Sequence, residues 1–266
     1  HFVAVRNGGE KYLDIVTDGN EQVILARFDD AQFFVKKDLE VPLEAFIDDL
    51  NTLTFQVKLG SFLDKTRRIQ KLVDPLGEAL SLSEEEMATT RRAAELCKAD
   101  LATNMVVEMT SLQGIMGRYY ALHSGEAPAV AEAIFEHYLP RSASDNLPEK
   151  KPGLVVGLAD RLDSLMGLFA IGQAPTGTKD PFAQRRAALG VCQNLIEWQQ
   201  NLDLRWALAE AAQGLNMDVA ESDISACLEF IQGRLRGMLL DLNFNYDVID
   251  AVLAEKGNDP YSAFVD

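Results

Sequence analysis

The chain has 266 residues, of which 47% are hydrophobic and 25% charged, with a formal net charge of −16. That apolar content is enough to offset chain entropy and excludes an intrinsically disordered polymer. No stretch approaches the run of about 20 apolar residues that a membrane helix needs, and no basic segment leading into an apolar one marks a secretory signal. A surface this acidic repels phosphate over most of its area, so any nucleic-acid contact is confined to local basic patches.

Residues 2–6 (FVAVR) and 11–17 (KYLDIVT) alternate and are rich in β-formers, with the turn Asn7-Gly8-Gly9 between them. This is a hairpin pattern. A hairpin is marginal by itself, so the chain is expected to start inside a larger sheet-containing domain. From residue 21 the apolar spacing becomes helical. Helices are predicted over 21–39, over 42–53 with Pro42 at its start, and over 62–73, with 54–61 as a connection or short strand. A long helix is predicted over 83–109, opened by the capping box at Ser83 and Glu86. Further helices are predicted over 126–139, 154–170, 180–201, 204–214, 222–241 and 245–254. Pro140, Pro148 and Pro152 bracket one polar loop, and Gly172 to Pro181 forms another. Cys97, Cys192 and Cys227 are an odd number without CxxC spacing, which argues against disulfides or a zinc ribbon and for buried thiols in a reducing, cytoplasmic setting.

Three stretches carry more polar groups than packing requires. In 97–122, Lys98, Asp100, Thr103, Asn104 and Glu108 interrupt an apolar segment, and Gly114 and Gly117 permit close backbone approach. In 154–170, Asp160, Arg161 and Asp163 interrupt a run that is otherwise wholly buried. Buried carboxylates need a cation, hydrogen bonds or a metal. In 172–186 a Gly/Pro/Thr loop leads to Asp180 as a predicted N-cap and Pro181 at the first helical position. Lys179, Arg185 and Arg186 bring positive charge to that helix start, which suits an anion or an internal ion pair.

Together, KLGSFLDKTRRI (58–69), CKADLATNMVVEM with LQGIMGRYYA (97–121), AIFEHYLPR (133–141), VGLADRLDSLMGLF (156–169) and APTGTKDPFAQRRAALG (174–190) resemble the β subunit of the heterotetrameric bacterial glycyl-tRNA synthetase. The resemblance implies an internal fragment of a longer subunit that binds tRNA(Gly) and pairs with an α subunit. In that family the α subunit uses ATP and glycine, so the resemblance leads to the expectation of no cofactor and no catalytic residues in the fragment itself. Neither DNA nor a membrane is implied. The same stretches resemble the HD superfamily of metal-dependent phosphohydrolases. The expected fold is therefore mainly α, an HD-like helical bundle with a small N-terminal β-hairpin. The expected division is 1–57 as the end of a preceding α+β domain, 58–244 as the HD-like domain, and 245–266 as the lead-in to an anticodon-binding domain.

LADRLD (158–163) matches the last HD element, with Asp160 at the ligand position, and His137 matches a secondary histidine element. The His-Asp doublet is missing: at its place stand Lys98 and Asp100. An ammonium has no lone pair to donate, so Lys98 is expected to pair with Asp160 or Asp100 in place of a metal. The resulting site of Lys98, Asp100, His137 and Asp160 would be structural. The tRNA contacts expected under the resemblance are Lys65, Arg67, Arg118, Lys179, Arg185 and Arg186. Two other readings compete with a tRNA-binding module. One is a working HD-type phosphohydrolase on nucleotides or RNA, and the other is a helical scaffold without RNA contact, which the net charge favours.

Overall fold

The computed structural model describes residues 2–266 and is mainly helical. Helix α1 spans Leu13–Asp38. Two short 3-10 turns, Leu43–Phe46 and Asp48–Asn51, lead to strands β1 (Thr54–Gln56) and β2 (Gly60–Ser61), which pair antiparallel. Then follow α2 (Phe62–Ala79), α3 (Glu84–Leu96), α4 (Asn104–Glu108), α5 (Ile115–His123) and α6 (Pro128–Glu136). The second half comprises α7 (Lys151–Ala170), α8 (Gln184–Glu197), α9 (Leu204–Gln213), α10 (Glu221–Asp241), α11 (Tyr246–Lys256) and α12 (Pro260–Val265).

The expected N-terminal hairpin is absent. Residues 2–12 carry no strand, and 13–17 open α1. No third strand or packed helix covers an apolar face there: Val3 and Val5 are 93% and 98% exposed. With nothing to stabilise the pairing, the β-formers Ile15, Val16 and Thr17 join the helix that propagates through the following residues. Of α1, Asp38 is the residue that becomes buried. Its carboxylate accepts from Asn104 N and Met105 N at the start of α4 and from the Tyr120 hydroxyl (2.8, 3.0 and 2.8 Å). Segment 42–53 forms the two 3-10 turns instead of one helix.

The capping signals act where the sequence places them. Ser61 and Asp64 box the start of α2, and Ser83 and Glu86 that of α3. Helix α2 runs past the expected stop, through Pro75 to Ala79. Pro75 forfeits one backbone bond, but Leu76 and Leu80 beyond it are fully buried, and their burial outweighs that loss.

Helix α7 is the axis of the molecule. Residues 152–159, 161–163 and 165–169 are buried, and the helix packs against α2, α3, α6, α8, α9 and α10. A helix apolar on every side belongs at a centre. Ile249 of α11 and Ala263 of α12 belong to the same core. Cys97, Cys192 and Cys227 are buried free thiols, and among the described residues no helix is long and apolar enough to cross a membrane.

Candidate functional site

The predicted long helix over 83–109 breaks at Lys98. Helix α3 ends at Leu96, and Lys98 (φ −114°, ψ −4°) leads into a 3-10 turn, Ala99–Ala102. The break turns the Lys98 side chain inward, where it is 3% exposed. Its Nζ donates to Asp160 Oδ2 at 2.7 Å and lies 2.9 Å from His137 Nε2, with the Tyr138 ring 4.2 Å away. On the other side of the imidazole, His137 Nδ1 is 2.6 Å from the Ile134 carbonyl. A carbonyl can only accept, so Nδ1 carries the proton and Nε2 turns its lone pair to the ammonium. Burial and the Lys98 charge hold the His137 pKa well below the ordinary histidine value, which keeps the ring neutral.

The cluster continues along α7. Asp160 Oδ1 is 2.8 Å from Lys65 Nζ, and Lys65 also reaches Asp163 Oδ2 at 2.9 Å and Ser164 Oγ at 2.7 Å. Asp163 then takes Arg68 at 2.6 and 3.2 Å. Three cations and two carboxylates thus alternate from Lys98 to Arg68. Burial works against the charge on Asp160, but Lys65 and Lys98 outweigh it and hold the carboxyl well below the usual range. For Lys65 burial lowers the pKa, and Asp160 and Asp163 more than reverse this, leaving it above the ordinary lysine value.

Asp100 stands apart from this chain. Its Oδ2 accepts from Gly114 N (2.6 Å) and Gly117 N (3.0 Å), at the start of α5. Gly114 has φ +76°, a conformation that favours glycine. The expected alternative of a Lys98–Asp100 pair is not formed. Burial raises the Asp100 pKa to about 6 against the pull of the Gly114 amide and Lys98. Arg161 faces the other side of α7 and donates to the carbonyls of His137, Tyr138 and Leu139 (2.9, 3.0 and 2.7 Å), fixing the end of α6 on α7. A Cβ at Gly157 would stand 2.9 Å from the His137 carbonyl oxygen, so this approach requires glycine.

An HD-type metal does not fit this arrangement. The Lys98 ammonium already takes both Asp160 and His137. Among the described residues, no group of three or more His, Cys, Asp or Glu is placed to hold an ion.

The cations expected at a tRNA surface separate into two sets. Lys65 is 2% exposed and fully engaged with α7, which corrects its assignment as a surface contact: a buried, paired ammonium offers nothing to a phosphate outside. Its position on the apolar stripe of α2, in phase with Ile69, Leu72 and Leu76, was the available signal. Arg185 is half-buried, donating to the Gly177 carbonyl (2.7 Å) and lying 3.7 Å from Asp180. Arg118 pairs with Glu132 at 3.3 Å. Arg67, Lys179 and Arg186 are exposed and form no ion pair among the described residues.

The helix start at 180–186 also differs from expectation. Helix α8 begins at Gln184, with Ala183 in the left-handed region at φ 53°. Asp180 reaches forward to accept from Gln184 N (2.8 Å) and Arg185 N (3.0 Å). These amides are the ones an anion at the helix start would use, so this end already holds an internal carboxylate. Arg68 and Tyr138 were not named from the sequence as parts of the site, whereas Arg161 was singled out with Asp160 and Asp163.

The profile of the family described as glycyl-tRNA synthetase beta subunit matches residues 1–254. The chain belongs to the glycyl-tRNA synthetase β-subunit family. A glycine–tRNA ligase β subunit of Desulforamulus reducens is 50% identical over 257 residues, covering 95% of this chain and 37% of that protein. Those of Syntrophomonas wolfei and Clostridioides difficile are each 45% identical, over 99% and 97% of this chain and 38% of the relative. The chain therefore spans well under half the length of the β-subunit relatives it matches.

Proposed function

We propose that this chain is a non-catalytic part of a cytoplasmic glycine–tRNA ligase β subunit, binding tRNA(Gly) and holding neighbouring parts of the enzyme in place. The α subunit would carry the ATP-dependent attachment of glycine. Family membership supports the role in glycyl-tRNA synthesis. The observation that carries the non-catalytic reading is the Lys98 ammonium within hydrogen-bonding distance of both His137 and Asp160. It fills the place where an HD-type enzyme would need a lone-pair donor and an ion. On this reading, 58–244 is an HD-like body whose polar centre is structural. Segment 1–57 belongs to what precedes it, and 245–266 leads to an anticodon-binding domain.

The surface cations Arg67, Lys179 and Arg186 are the tRNA contacts this reading favours, with Arg118 and Arg185 half-committed to internal partners. The assay is full-length β with α. Lys179→Gln and Arg67→Gln should each raise the KM for tRNA by roughly 3- to 10-fold, as expected for loss of a phosphate contact. Glycine-dependent ATP–pyrophosphate exchange should stay at the wild-type rate. An unchanged KM would remove these residues from the interface, and a fall in exchange would contradict the non-catalytic assignment.

A further inference from the structure

A cavity of about 560 Å³ lies between α8 and α10, lined on one side by Arg186 and Leu189 and on the other by Gly233, Arg234, Gly237 and Met238. We propose that it seats one nucleotide of an RNA strand, with Arg186 and Arg234 meeting the phosphate and the apolar lining meeting sugar or base. This rests on the tRNA-binding reading above and gives it a location.

The charges come first. The chain has 41 acidic against 25 basic residues, and most of its arginines end on a carboxylate or, like Arg161, on carbonyls. Arg186 and Arg234 form no ion pair among the described residues, yet they line the same cavity. Asp241 lines it as well and pairs with neither. Arg234 Nε is buried with no hydrogen-bond partner. A buried donor left without an acceptor is costly and calls for one. A guanidinium supplies forked donors matched to phosphate oxygens.

The shape points the same way. Gly233 and Gly237 lie four apart on one face of α10, and a Cβ at either would meet nothing within 4 Å. Two glycines inside a helix weaken it, and packing does not require them here, since no neighbour approaches. Their effect is to leave bare backbone and open space. With Leu189 and Met238 beside them, the lining joins apolar surface to concentrated positive charge. That combination suits a nucleotide unit, whose phosphate is anionic and whose base can lie on apolar or guanidinium faces. It does not suit a divalent cation, for which Asp241 would be the one carboxylate in the lining.

The test measures tRNA binding by full-length β in complex with α, across a series of potassium chloride concentrations. Arg234→Gln should weaken binding about tenfold and lower the salt slope by about one. Gly237→Leu keeps every charge but fills the cavity. It should weaken binding comparably without lowering the melting temperature, because leucine is the better helix former. That pairing separates a binding site from a folding defect. Unchanged affinity in either variant overturns the proposal. If Lys179→Gln or Arg67→Gln lowers the slope while Arg234→Gln and Gly237→Leu do not, the cavity is dismissed and the tRNA-binding reading stands. If none of the four changes binding, both fall. Weakened association with α at unaltered tRNA affinity would instead make the cavity a protein contact and overturn the nucleotide assignment.

Discussion

At the residue scale, burial works against the charge on both carboxylates nearest the Lys98 break, but their net shifts are opposite, because Lys65 and Lys98 override it at Asp160 and nothing does so at Asp100. Asp160 is flanked by two ammonium groups and stays ionised, so its contribution to stability is present above the unfolded carboxyl value and lost as the pH falls. Asp100 is buried with Oδ1 unpartnered, and its pKa is raised from 3.8 to about 6. Its folded value exceeds its unfolded one, so the stability it contributes is complete below about pH 4 and is lost as the pH rises through about 6. Asp100→Asn keeps an acceptor for the Gly114 and Gly117 amides and cannot titrate. The stability of the variant relative to the wild type should therefore improve between pH 4 and pH 7, by at most about 3 kcal/mol from a two-unit shift. Parallel denaturation midpoints across that range would show that Asp100 is not held protonation-prone by its site.

At the element scale, α7 organises both the core and the polar cluster. Leu165 is fully buried at its centre, among helices that surround it on all sides. Leu165→Ala should cost about 2–5 kcal/mol in urea unfolding, because a site enclosed by several helices collapses poorly around a void. A loss under 1 kcal/mol would mean that the helix is less enclosed than described. Helical periodicity made α7, α9 and α10 legible within a few residues, and the capping box at Ser83 and Glu86 marked the start of α3. What stayed hidden was set by contacts distant in sequence. Lys65 finds Asp163 across 98 positions; its phase with Ile69, Leu72 and Leu76 marks the buried face of α2, but nothing local names the carboxylates it meets there. The break at Lys98 was unreadable for the same reason. The segment has helical spacing, and the chain departs from it to deliver an ammonium to Asp160 and His137. The N-terminal alternation misled because it describes a strand that has no partner among the described residues.

At the scale of the whole molecule, acidic charge and a tRNA-related role fit together only if positive charge is local. The structure separates its cations accordingly. Lys65, Lys98, Arg68 and Arg161 hold α7 to its neighbours, while Arg67, Lys179 and Arg186 remain at the surface. On the proposed HD-like reading, Asp160 and His137 would stand at ligand positions, but the Lys98 ammonium lies against both, and no ion-binding set is placed among the described residues. This claim is tested most directly by elemental analysis of the purified protein after incubation with manganese, iron and nickel followed by gel filtration. The account predicts far less than one metal ion per chain and no phosphodiester hydrolysis. One tightly held ion per chain with hydrolytic activity, both abolished by Asp160→Ala, would contradict it.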